Sequence, residues 1–178
     1  MLKKIALVAV TTVSALAVSV AAQQVTKEPV EGVVNFARLE TTVACGGATK
    51  PEAVPALKKM GFVSIINLRE ATEPSANVDA EAEATKAAKM KFFHVPFNGN
   101  APDPKAVDQF LDAIKSPGAE PAFIHCAGGN RAAAMWLAKR VAIDHWDVDK
   151  ATAEANALGL TSPTLTRFIL DYAQAHKR

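Results

Sequence analysis

The feature that most restricts how this chain can fold is a repeated change of period along it. Short β-branched or aromatic runs alternate with longer stretches whose apolar residues recur every three or four positions. Val63-Ser64-Ile65-Ile66-Asn67, residues 92–95 and residues 121–125 are the clearest short runs, with another at 42–45. Between and after them lie helical patterns. Asp103-Pro104 opens one whose residues Val107, Phe110, Leu111 and Ile114 fall at i, i+3, i+4 and i+7. Ser162-Pro163 opens the last, with Leu165, Phe168, Ile169 and Tyr172 at the same spacing. Further helices are expected from the capping-box pattern Thr49-Lys50-Pro51-Glu52 to Gly61, over 77–88, over 131–141, and from Asp147 to Gly159. Strands separated by helices predict an α/β fold, with a mostly parallel central sheet flanked by helices on both faces. The extra C-terminal helices should pack together on one side.

The first 22 residues stand apart from this pattern. Lys3 and Lys4 precede an apolar run over 5–18, and Ser19-Val20-Ala21-Ala22 supplies small residues before Gln23. That order describes a secretory signal peptide, cleaved after Ala22. The apolar run is too short and too rich in small residues for a comfortable span. A periplasmic or secreted protein with no membrane attachment after cleavage is therefore expected. Residues 23–34 read as a flexible lead-in, and 35–178 as a single domain long enough to bury a core. The formal charge of +2 includes Lys3 and Lys4, so the remainder is close to neutral. No basic stripe interleaved with aromatics occurs, and nucleic acid is not an expected partner.

The chemistry is concentrated in Ala122-Phe123-Ile124-His125-Cys126-Ala127-Gly128-Gly129-Asn130-Arg131-Ala132. A buried strand delivers Cys126 to its C-terminal end, where open α/β sheets bind ligands. Two glycines allow a tight curl, and a helix starts at once. The backbone amides of Ala127, Gly128, Gly129 and Asn130, together with the helix start, would form an anion nest. Arg131 adds a planar guanidinium suited to two oxygens. The same positive field stabilises a thiolate, so Cys126 is expected to be nucleophilic near neutral pH. His125, at the strand end, would orient Cys126. No close pair of His or Cys side chains has metal-ligand spacing, so neither a metal nor another cofactor is expected.

These residues carry a resemblance. The loop resembles the signature HCxxGxxR of the cysteine-dependent protein tyrosine and dual-specificity phosphatases. Over about 40–172 the chain is similar to the bacterial phosphatase-like domain of beta-lactamase-hydrolase-like proteins. Gly46-Gly47-Ala48, Gly61-Phe62-Val63-Ser64-Ile65-Ile66-Asn67-Leu68-Arg69 with Glu73, His94-Val95-Pro96 and the Cys126 loop carry the likeness. It implies hydrolysis of a phosphate monoester on a phosphorylated protein or small molecule, through a phosphocysteine intermediate. Cys126 would be the nucleophile and Arg131 the phosphate clamp. The family's general acid maps to a stretch, 97–100, that holds no acid, which leaves Asp103 as the nearest candidate; before Pro104 it is equally a helix cap.

Two departures keep alternatives open. Only four residues separate Cys126 from Arg131, where the phosphatase signature has five, and Ala132 replaces the hydroxyl residue that usually assists thiolate departure. The shorter spacing resembles the loop of rhodanese sulfurtransferases, and a catalytically weak anion-binding module is a third reading. Arg69 is expected to pair with Glu70 or Glu73, and 80–89 to be a solvated helix face. Cys45, at a neighbouring strand end, is a candidate redox partner of Cys126: a reversible disulfide would shield the thiolate in an oxidising compartment.

Overall fold

Alternate residues of each buried run face opposite sides, and this sorts the interior into two layers. Ala44, Ile65 and Phe123 pack under one face of the sheet, whereas Val43, Cys45, Ile66 and Ile124 pack under the other. Strands buried on both faces need helices on both, as the sequence pattern predicts. The computed structural model describes residues 24–40 and 42–176. The expected signal peptide lies outside the described residues.

In chain order the elements are β1 (Val25–Lys27), β2 (Ala37–Leu39), β3 (Val43–Gly46), a 3-10 turn (Pro51–Ala53), α1 (Val54–Lys59), β4 (Ser64–Asn67), α2 (Val78–Ala87), β5 (Lys91–His94), α3 (Pro104–Lys115), β6 (Ala122–His125), α4 (Asn130–Ala142), α5 (Val148–Leu158) and α6 (Pro163–Ala175). The sheet order is β1-β2-β3-β6-β4-β5. Strands β3, β6, β4 and β5 run parallel, while β1 and β2 add an antiparallel edge. One face carries the 3-10 turn, α1 and α2, with Val54, Leu57 and Phe62 in its core. The other carries α3 to α6, with α4 packed against α3, α5 and α6 around the fully buried Trp136.

Three local expectations change. The lead-in contributes β1, which pairs Val25 with Leu39 and Lys27 with Ala37. Strands of three residues are too short to show a period, so neither β1 nor β2 is visible in the sequence. The capping box does not form: the Thr49 hydroxyl donates to Gly47 O at 3.0 Å, and Lys50 precedes the 3-10 turn with no side-chain cap. Finally, α2 is not wholly solvated, because Glu81 and Thr85, one turn apart, are buried against the sheet. The caps read at Asp103, Asp147 and Ser162 are in place, each accepting from the first turn of its helix. Among the described residues no helix is long and apolar enough to cross a membrane.

Candidate active site

Strand β6 lies between β3 and β4, so its C-terminal end is tied on both sides. Cys126 N–H donates to Gly46 O (3.2 Å), and Leu68 N–H donates to His125 O (2.9 Å). The chain then turns through Gly129, whose φ of +102° falls where a side chain would be strained, and enters α4 at Asn130. This turn brings Gly129 N–H to 3.1 Å from Cys126 Sγ, so the amide donates to the sulfur. The loop packs against Gly47, and Gly46 against the Phe123 ring, so neither position has space for a side chain. A Cβ on Gly47 would lie 2.7 Å from Ala127 O, and one on Gly46 2.8 Å from the Phe123 ring.

Arg131 is aimed from the first turn of α4 and held by a carboxylate that comes from far away in sequence. Its Nη1 donates to Glu73 Oε1 (2.6 Å) and to Phe97 O (2.9 Å), and its Nη2 to Glu73 Oε2 (2.8 Å). These bonds use the outer edge of the guanidinium. The Nε–Nη2 edge retains N–H groups for two oxygens of an anion. Burial disfavours the Arg131 charge, yet the bonds to Glu73 and the charge of Cys126 together raise its pKa above the ordinary value.

Glu73 is shared. Arg69, buried as expected for a pairing residue, donates from Nε to Glu73 Oε2 (3.2 Å) and from Nη1 to Ser75 O (2.8 Å). Glu70 N–H donates to Glu73 Oε1 (2.9 Å). The Arg131 hydrogen bond leads these causes, and against the opposing effect of burial it holds the Glu73 carboxyl at about 2, down from 4.5. A carboxylate whose folded pKa is depressed stabilises the fold above its unfolded value and loses that contribution as pH falls toward the folded one. Glu73→Gln is therefore expected to cost stability at neutral pH, and the cost should shrink between about pH 5 and pH 2. Urea unfolding of both proteins across that range checks this; a difference that does not change with pH would contradict it.

His125 is fully buried and stacks on Phe123, with ring centroids 5.6 Å apart. It faces α2 rather than the nest. Its Nε2 lies 3.1 Å from Glu81 Oε2 and 3.0 Å from Oε1. Both oxygens are within hydrogen-bond reach of the ring nitrogen, so the carboxyl group and the imidazole are paired. Asn67 Nδ2 donates to the same Oε2 at 2.7 Å, and Asn67 Oδ1 accepts from Arg69 N–H. Glu81 thus links the strand that leads to Cys126 with the strand that leads to the Arg69–Glu73 turn. Sequence reasoning missed Glu81 and Asn35; the latter donates from Nδ2 to Gly128 O at 3.1 Å.

The other expected residues are placed as follows. Asp103 caps α3, accepting from Lys105 N–H at 2.9 Å, at the end of the segment that starts with Phe97 and crosses Arg131 at Gly99. Asp108 is engaged by the Tyr172 hydroxyl. Cys45 pairs in register with Ile124, which puts Cys126 two residues further along the adjacent strand on the same face. Both cysteines are free and buried, and burial, with the charge of Cys126, pushes the Cys45 thiol pKa far up. Among the described residues no three His, Cys, Asp or Glu side chains group as a metal site would require.

A family model described as "DSP-PTPase phosphatase fused to NAD+ Kinase" matches residues 17–167. The chain belongs to this phosphatase family. Its fold is shared by solved structures of other phosphatases. A DUF442 protein of Shewanella putrefaciens CN-32 superposes with a TM-score of 0.68 at 17% identity, covering 84% of this chain and 97% of that one. The core catalytic domain of the PP-IP phosphatase SIW14 from S. cerevisiae, in complex with citrate, gives 0.62 at 18%, covering 83% and 88%. A cysteine-to-serine variant of P. aeruginosa TpbA in complex with phosphotyrosine gives 0.60 at 15%, covering 89% and 90%. No curated protein matches the sequence. For a member of the DSP-PTPase family, the strand–Cys–turn–helix arrangement around Cys126 is the site where its chemistry would be expected.

Proposed function

We propose that this protein hydrolyses phosphate monoesters by thiolate attack, through a phosphocysteine intermediate. The observation that carries the reading is the Gly129 N–H aimed at Cys126 Sγ at 3.1 Å, beside an Arg131 whose outer edge is fixed by Glu73. An amide pointed at sulfur favours the charged nucleophile, and the preset guanidinium edge and loop amides await the phosphoryl oxygens. Sγ attacks phosphorus, the bond to the leaving oxygen breaks, and that oxygen takes a proton. Asp103, which caps α3 at the end of the segment that crosses Arg131 at Gly99, is the candidate donor. Water then attacks the phosphocysteine, releasing phosphate and returning the thiolate. Position 132 offers no hydroxyl to the departing sulfur, so the Gly129 N–H assumes that part.

An aryl phosphate is the probe of choice, supported by the phosphotyrosine bound to the TpbA variant of the same fold. The leader pattern over residues 1–22 supports action in the periplasm or outside the cell. The four-residue spacing from Cys126 to Arg131 favours sulfur transfer as the second reading. Assaying the native protein with an aryl phosphate beside thiosulfate and a thiol acceptor separates the two. Phosphate release is expected to exceed sulfur transfer by at least about tenfold and to be indifferent to chelators. Dominant sulfur transfer, or loss of phosphate release on chelation, would overturn the phosphatase reading.

A further inference from the structure

The outer side of the Cys126 loop is held by a segment that contributes no nucleophile, acid or clamp. Residues 33–35 run beside 47–49: Val34 N–H donates to Ala48 O (3.0 Å), and Gly47 N–H donates to Val34 O (2.6 Å). From this strap, two successive carbonyls of the loop are each given a donor. Ala48 N–H reaches Ala127 O at 2.8 Å, and Asn35 Nδ2 reaches Gly128 O at 3.1 Å. In a trans peptide the C=O and the following N–H point in opposite directions. A donor that holds Gly128 O outward therefore turns the N–H of Gly129 inward, and that N–H is the one at 3.1 Å from Cys126 Sγ.

We infer that Asn35 is a positioning residue for the thiolate: its amide sets the orientation of the Gly128–Gly129 peptide that faces the sulfur. The inference rests on the phosphatase reading of this loop and adds a residue to it. The backbone argues for the same role. Asn35 sits at φ +51°, a left-handed conformation that asparagine accepts more readily than most residues. Gly128 is bridged to Gly47 by backbone, but glycines on both sides leave this peptide without side chains to fix its rotation, and the Asn35 donor supplies that restraint. The Ala48 contact is made by backbone and holds the neighbouring peptide, which leaves Asn35 as the side chain that holds this one.

Aspartate is the informative substitution. It is isosteric and tolerates the same backbone conformation, but when ionised it presents only acceptors to Gly128 O. Asn35 is exposed, so the change does not disturb the core. In Asn35→Asp the rate of Cys126 alkylation by iodoacetamide near pH 7 is expected to fall about tenfold, with Asn35→Ala intermediate. Vanadate affinity and kcat for an aryl phosphate should fall in parallel, with KM changed much less and the unfolding midpoint unmoved. A merely structural role would move the midpoint and leave alkylation of the folded protein alone. Alkylation decides: an unchanged rate in Asn35→Asp overturns the inference, whatever happens to turnover. If the native protein turns over no aryl phosphate while alkylation and vanadate binding still fall in the variant, the positioning role stands and the phosphatase reading fails.

Discussion

Cys126→Ser is expected to lower aryl phosphate turnover by on the order of 10⁴-fold or more, while binding of vanadate or phosphate persists. A serine hydroxyl stays protonated at neutral pH and attacks only if a neighbouring base removes its proton. The adjacent imidazole cannot act as that base: His125 lies on the opposite face of β6, stacked on Phe123, with Nε2 engaged by Glu81. The nest can stabilise a thiolate but has no group to activate an alcohol. Anion binding survives because the loop amides and Arg131 are untouched. Arg131→Ala should instead lose both turnover and anion binding, since it removes the charge and releases Glu73 from its bidentate partner. Steady-state kinetics and vanadate titration of both variants separate the two roles. Turnover retained in Cys126→Ser would remove the thiolate mechanism.

The second large effect is on stability. Glu81→Ala is expected to destabilise the fold by about 3–5 kcal/mol, because it removes the carboxyl group that joins Asn67 and His125 in a fully buried network. Asn67 Nδ2 would lose its acceptor and His125 Nε2 its partner in a fully buried site. Glu81→Gln keeps the volume and one acceptor oxygen but places an amide N–H₂ against other donors, and should cost less, about 1–3 kcal/mol. For a domain of this size the alanine variant should lower the unfolding midpoint by roughly 6–20 °C. Thermal and urea unfolding measure both. If Glu81→Ala unfolds within about 1 kcal/mol of the native protein, the network is not what holds β6 and β4 to α2.

Much of the site was legible because it is local. The strand, Cys126, the paired glycines and Arg131 lie within ten residues, and the physics of an anion nest needs no more than that. The caps at Asp103, Asp147 and Ser162 were readable for the same reason. What escaped notice depends on distant partners. Glu73 was expected only to steady its own turn, yet it holds Arg131, 58 residues away. Glu81 sits in an Ala/Glu/Lys helix whose composition describes a wetted surface; only the packing of α2 over β4 and β6 shows which of its acids is buried. Asn35 fell in a stretch with no periodicity, and β1 and β2 were hidden by their brevity. The redox pairing of Cys45 with Cys126 drew on strand-end proximity, and the register makes the two diagonal neighbours rather than opposite ones.

The tethering of Arg131 at both ends bears on how long the loop is allowed to be. Its backbone sits in the first turn of α4, and its guanidinium is fixed between Glu73 and Phe97 O. Adding a fifth residue after Cys126 by lengthening α4 at its start would rotate the side chain by about 100° and shift it about 1.5 Å along the axis, away from Glu73. Adding it to the turn instead must leave Ala127 O in its place against Gly47, where a Cβ would already lie 2.7 Å from that oxygen. The four-residue spacing is thus matched by a glycine just past a different strand and an acid in a different loop. A graft of the longer signature loop would need compensating changes beside Gly47 and around Glu73, so the length of this loop is a property of the whole sheet end rather than of the loop.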